Sequence, residues 1–333
     1  MGSNISANFP ACATALDTPG APVLRQGVLR RGWHRLPWCL MGTPGTPVWV
    51  VPHGGPGSGV SPALWAPFDL SHCQVLLWDQ RGCGQARPRG GRAQCGWRHV
   101  VADMEALRRE LDVAKWSLLG GSWGATVALA YVRAHPDRVD RLVLRGAFVW
   151  TAADMARVFG RQPVLHTWRQ VFHFGDALAQ RQTLLQWQWL ERQAVLRGAQ
   201  RSQRHGPTTA ARAVLTGLQR AQRRTQAQRM GQLPVRPNPS LLAKAQVQMA
   251  TLARRRGWSQ RTVTEALNTL AQRHIRVDWV HGRWDAVCSP APVASAHRRL
   301  PPGLSRWQAV DSGHLSVEPA MITALRAVLG GRQ

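Results

Sequence analysis

The chain has 333 residues, 44% of them hydrophobic, which suits one large α/β domain with an insertion and excludes a disordered polymer. Lys and Arg total 43 against 17 acidic residues, a formal net charge of +26, and Lys115 and Lys244 are the only lysines. Such a charge raises the question of a polyanionic partner. No apolar run approaches the roughly 18 residues that span a bilayer, and the first twenty residues lack a basic-then-apolar leader, so a cytoplasmic protein without membrane contact is expected.

Residues 1–25 read as irregular, and the Met1-Gly2…Ser6 acylation pattern is too short and common to carry weight. The apolar run Val48-Trp49-Val50-Val51 predicts a strand ended by Pro52 and a glycine cluster at 54–59, and Gln74–Trp78 predicts the next. Val100, Met104, Leu107 and Leu111 share one face of a predicted helix over 99–112. A strand at 116–119, a helix at 123–134 and a strand at 141–144 follow. The same alternation returns with strands at 275–280 and 305–310 and helices at 291–299 and 318–329. Short buried strands alternating with helices predict a parallel, doubly wound sheet.

Residues 151–273 break this pattern. They lack convincing strands, are rich in Gln and Arg, and hold 20 basic against 4 acidic residues, a net +16. The expected organisation is therefore a core at 1–150, a basic helical segment at 151–273 and the rest of the core at 274–333. The six cysteines have no CxxC spacing and read as thiols in a reducing compartment, with neither a zinc site nor a disulfide framework.

The chemistry is written in three places. Gly120-Gly121-Ser122-Trp123-Gly124 has the form G-x-S-x-G between an apolar strand and a helix, where a tight turn presents the serine hydroxyl. The backbone N–H of Trp123, opening the helix, is aimed where negative charge would develop. A serine needs a base, and the base an orienting acid, each placed at the end of a later strand. Asp285 follows the strand at 275–280, and His314 follows the strand at 305–310. Asp278 lies inside a strand and Asp311 is too near His314 in sequence; His281 reads as a structural strand-end residue. The second oxyanion donor is assigned to Gly55, with Gly54 as the alternative, in His53-Gly54-Gly55-Pro56-Gly57. The same loop fails as a phosphate cradle because Val60 stands where the lysine belongs.

These segments, with Trp78-Asp79-Gln80-Arg81-Gly82-Cys83-Gly84, Ala134-His135-Pro136, Leu144-Arg145-Gly146 and His281-Gly282-Arg283-Trp284-Asp285, resemble the proline iminopeptidase (prolyl aminopeptidase) family. The resemblance covers roughly residues 25–150 and 270–330. It implies an α/β-hydrolase fold with an inserted helical cap, and a cofactor-independent serine peptidase acting on peptides with an N-terminal proline. It also implies that Ser122 is the nucleophile, Asp285 the orienting acid and His314 the base.

The cap departs from the family pattern. Trp187-Gln188-Trp189-Leu190-Glu191 resembles a W-x-x-W-E segment with Leu190 for the second tryptophan, which makes Glu191 an anchor for the substrate amine. Aligned with an R-I-E-x-H-Y-F-like segment, Lys244–Ala250 places Gln246 where a second glutamate would stand, and Gln85-Ala86 replaces a segment whose second residue is usually serine. A basic cap that lacks one of two carboxylates opposes binding of a cationic amine. An esterase or amidase with shifted specificity is therefore the alternative. A polyanion-binding protein with an idle site is the third reading, disfavoured because 151–273 carries no nucleic-acid motif.

Overall fold

Eight strands form where the sequence supplies short apolar runs: β1 (Val23–Arg31), β2 (His34–Gly42), β3 (Val48–Val50), β4 (Gln74–Trp78), β5 (Trp116–Gly121), β6 (Val139–Arg145), β7 (Arg276–Gly282) and β8 (Ser305–Val310). They make one sheet in the order β1-β2-β4-β3-β5-β6-β7-β8. Pairing is antiparallel from β1 through β2 to β4 and parallel from there to β8. The structure is a computed structural model and describes residues 22–149, 167–168, 170–172, 174–234, 238–252 and 259–330. The acylation pattern and Cys12 lie outside these residues; the other five cysteines are buried.

Period-two alternation divides the strands between two cores. In β4, Leu76 and Trp78 face one cluster while Val75 and Leu77 face the other. The first cluster is covered by α1 (Trp97–Glu110), α2 (Trp123–Ala134), α6 (Gln260–Gln272) and α7 (Pro290–Arg298), the second by α8 (Pro319–Gly330). Trp78, Trp116 and Trp279 are fully buried, and burial of each large apolar side chain contributes roughly 1.5–3 kcal/mol.

The predicted parallel elements occur within a few residues of their expected ends. The β1–β2 hairpin escapes the sequence reading. Its signal is the Leu36/Trp38/Leu40 alternation facing the first cluster, with Gly32 at φ 61° in a two-residue connection between Arg31 and His34.

Among the described residues, 151–273 is helical: α3 (Ala177–His205), α4 (Thr209–Arg229), α5 (Pro239–Leu252) and α6. Asp176 caps α3 by accepting from the Ala179 N–H at 2.7 Å, and Thr208 caps α4 through Ala211 at 3.0 Å. The boundary expected at 273 needs adjustment, because Val263, Ala266, Leu267 and Leu270 of α6 belong to the first core cluster. Among the described residues, α3, α4 and α5 contribute nothing to the two sheet cores. Glycines mark where α3 and α5 rest on the sheet's loops. A Cβ at Gly198 in α3 would stand 2.7 Å from Trp284 O, and one at Gly57 would stand 2.7 Å from Lys244 O in α5.

Candidate active site

Ser122 sits between β5 and α2 with φ 54° and ψ −122°, a conformation non-glycine residues rarely adopt. The flanking glycines make this turn possible. A Cβ at Gly124 would lie 2.2 Å from Pro52 O, and one at Gly120 would lie 2.6 Å from Gly124 O. The strained backbone is pinned on both sides: Ser122 N–H donates to Arg145 O at 3.0 Å, and its carbonyl accepts from Ala125 N–H at 3.0 Å.

His314 Nε2 stands 3.1 Å from Ser122 Oγ, and Nδ1 stands 2.7 Å from Asp285 Oδ2. A carboxylate only accepts, so Nδ1 carries the proton and Nε2 is left to accept from the serine hydroxyl. The other Asp285 oxygen accepts the N–H groups of Val287 at 2.9 Å and Cys288 at 2.8 Å. Burial pushes the Asp285 carboxyl up, but His314 and these donors outweigh it and hold the group below its ordinary value. The three residues that sequence spacing proposed from separate stretches are thus one contiguous relay. It can move a proton from Ser122 Oγ to His314 while Asp285 stays ionised.

Two groups that fix the relay were missed at the sequence level. Glu318 accepts from Gly313 N–H at 2.7 Å and from Leu315 N–H at 3.1 Å, clamping the backbone on both sides of His314. Its position four residues after the histidine, immediately before Pro319 and α8, is the available signal. Arg145, half-buried at the end of β6, donates from Nη1 to His314 O at 2.5 Å. Gly146, at φ 49°, leaves room for the pair: a Cβ there would approach Asp285 Oδ2 to 3.2 Å.

The rejected candidates have structural partners. Arg141 holds Asp278 at 2.8 Å, Arg283 lies 3.2 Å from Asp311, and His281 Nε2 donates to Cys288 O at 3.0 Å. The glycine loop before Ser122 is anchored from behind. His53 Nε2 accepts from Gln80 N–H at 3.1 Å and Nδ1 donates to Gly54 O at 3.0 Å; burial lowers this imidazole to about 4, so it stays neutral. Asp79 accepts from Val60 N–H at 2.7 Å and Gln85 N–H at 2.8 Å, and burial raises its carboxyl to about 6.

Gly54, Gly55, Ser122, Trp123 and His314 line one cavity of about 440 Å³, together with Glu191, Arg192 and Lys244 from α3 and α5. Glu191 is present as expected, but it is occupied. Lys244 Nζ lies 3.1 and 3.2 Å from its two oxygens and Gln248 Nε2 lies 3.4 Å from Oε1. Burial raises the Glu191 carboxyl; the Lys244 charge and these hydrogen bonds overcome that and leave it below its ordinary value.

Gln246 is not part of the cavity lining, which corrects the expectation for it. Its Oε1 faces Gly90, where a Cβ would be 2.5 Å away. The reason is helical geometry: Lys244 and Gln248 are four residues apart and share a face, whereas Gln246 is about 200° around the axis from Lys244. Gln248 is fully buried, its Oε1 accepting from Trp187 Nε1 at 2.9 Å and its Nε2 reaching Gly55 O at 3.4 Å.

The α/β-hydrolase fold family matches residues 47–319. The proline iminopeptidase of Neisseria meningitidis serogroup A is 40% identical over 139 residues, 39% of this chain and 44% of that protein. The Arabidopsis thaliana proline iminopeptidase is 44% identical over 117 residues, 35% of this chain and 30% of its own length. The chain therefore aligns with less than half the length of these curated relatives. Among solved structures, an α/β hydrolase enzyme from a Medee basin deep-sea metagenome library superposes with a TM-score of 0.65 at 15% identity, covering 92% of this chain and 98% of that one. An esterase from Thermogutta terrifontis superposes at 0.58 with 20% identity, covering 92% and 98%. The last two likenesses concern the fold alone. Over its aligned part the chain is similar to the proline iminopeptidases, and it belongs to the α/β-hydrolase family.

Proposed function

We propose that this chain is a serine hydrolase of the prolyl aminopeptidase type, releasing N-terminal proline from peptides through an acyl-enzyme on Ser122. The observation that carries this reading is the continuous path of 3.1 Å and 2.7 Å contacts from Ser122 through His314 to Asp285. Ser122 Oγ attacks the prolyl carbonyl carbon while His314 Nε2 takes its proton, and Asp285 holds the imidazole tautomer. The N–H groups of Gly55 and Trp123 stabilise the oxyanion. The intermediate collapses as His314 protonates the departing peptide amine. Water, deprotonated by the same imidazole, then attacks the ester and releases free proline.

Helices α3, α4 and α5 act as the cap inserted between the two parts of the core, with Glu191 holding the substrate's ammonium group. A panel of aminoacyl-arylamides tests the reading. Turnover of the prolyl member, lost in Ser122→Ala, is expected; a panel in which simple esters turn over while prolyl-arylamide is untouched overturns the peptidase part.

One observation favours a second reading. Lys244 already neutralises Glu191, and Arg145 and Arg192 line the same cavity. A cationic amine gains little there unless it displaces Lys244, whereas neutral or anionic esters and amides meet no such competition. Faster turnover of N-acylated than of free-amine substrates is the signature of that alternative.

A further inference from the structure

A second cavity, about 510 Å³, lies among α3, α4 and α5. Its α3 wall is a stripe at helical spacing, Arg181, Leu184, Leu185, Gln188 and Arg192. Helix α4 adds Arg224, and α5 adds Leu241 and Leu242. Among the described residues no carboxylate lines it and none of the three guanidiniums is ion-paired. Glu191, adjacent to Arg192 in the chain, is engaged by Lys244.

Arg192 is fixed in place, its Nη1 donating to Ala221 O at 2.9 Å and to Thr225 Oγ1. Both acceptors are neutral, so they supply orientation. Burial works against the Arg192 cation, the Glu191 charge favours it, and the neighbouring Arg224 opposes it. Gln188 is nine-tenths buried, and its Nε2 has no hydrogen-bond partner among the described residues. Arg181 and Arg224 reach solvent at the edge of the cleft and Arg192 is half-buried; converging like charges repel one another, and an anion among them is attracted. Guanidiniums present a planar fork that matches a carboxylate, and the leucines offer an apolar surface for whatever carries it.

We propose that this cleft is a second binding site, for an organic carboxylate with an apolar body. Arg181, Arg224 and Gln188 hold the carboxylate end, and the leucines of α3 and α5 cover the rest. Arg192 lines both this cleft and the Ser122 cavity, so an occupant here sits beside the reactive centre without touching it. The carboxylate can come from a peptide C-terminus or from a fatty acid.

Isothermal titration of the full chain with octanoate and with N-acetyl-leucyl-leucine distinguishes these sources, with octanamide and inorganic phosphate as controls. Saturable binding of at least one carboxylate probe is expected, with the tighter probe identifying the source. Arg181 and Arg224 line this cleft and not the Ser122 cavity, so Arg224→Gln and Arg181→Gln each localise the site. Each is expected to weaken binding about tenfold with an unchanged melting temperature, and Arg224→Lys to weaken it less. Failure of both carboxylates to bind, equal binding of octanamide or phosphate, or indifference to both arginine changes overturns the proposal.

Discussion

The relay and the helices above it are built to different tolerances. Asp285 is 5% exposed and its carboxylate accepts at 2.7, 2.8 and 2.9 Å, while Glu318 and Arg145 clamp the loop of its partner His314. Glu191 and Lys244 are 28% and 27% exposed at their side chains and meet at 3.1–3.2 Å, and Gln248 reaches them only at 3.4 Å. Bond-making groups are held by loops whose course leaves little freedom. The groups proposed for recognition ride on helices α3 and α5, where a small rotation exchanges the residue that faces the cavity. The relay is therefore the geometrically fixed part of this molecule, and the proposed recognition groups the adjustable part.

That contrast can be broken most sharply at the relay. Ser122→Ala should lower kcat on any substrate by on the order of 10⁶, and Asp285→Asn by roughly 10⁴, because an amide favours the wrong imidazole tautomer. Steady-state kinetics on an activated ester reads both; a loss below tenfold in either would detach the relay from the reaction. At the helices the effects should be smaller and should change selectivity. Lys244→Gln frees Glu191 and is expected to raise kcat/KM for prolyl-arylamide by up to about tenfold, the scale of a partly exposed ion pair. An unchanged or lower value would remove Glu191 from amine recognition. Gln248→Glu should shift the same ratio in the same direction, whereas Gln246→Glu should leave it unmoved; the reverse pattern would place the wrong face of α5 toward substrate.

The smallest effect concerns the scaffold beneath the relay. In α1, hydrogen bonds from Arg108, Tyr131 and Arg109 hold Glu105 down to about 2. Its stabilisation is present above the usual carboxylate range and is lost as pH falls through about 2. Glu105→Gln is expected to destabilise by about 2 kcal/mol at neutral pH, with the gap to the parent narrowing as pH drops from about 5 toward 2 in denaturant titrations. A gap independent of pH would assign the loss to packing.

Much of the sheet side was legible because its constraints are local. Gly120 and Gly124 surround Ser122 where no Cβ fits, and Asp285 and His314 each follow an apolar strand. The β1–β2 hairpin was less legible, because its alternation runs through arginines and a proline as well as apolar residues. On the helical side, motif spacing located Glu191 but not its partners. Lys244 and Gln248 meet it through the packing of α5 on the glycine loop, a tertiary relation that aligning a short segment on Gln246 could not supply. The expectation that 273 ends the insertion failed for a similar reason: the apolar face of α6 reads as helix wherever it docks, and it docks on the sheet core.

The central claim is that Ser122 is made nucleophilic by His314 and Asp285. Labelling with a serine-directed phosphonate, read by intact and peptide mass spectrometry, tests it most directly. The account predicts a single adduct on the peptide containing Ser122, absent in Ser122→Ala and slowed at least a hundredfold in His314→Ala; an unlabelled protein, or an adduct at another serine that survives Ser122→Ala, would contradict it.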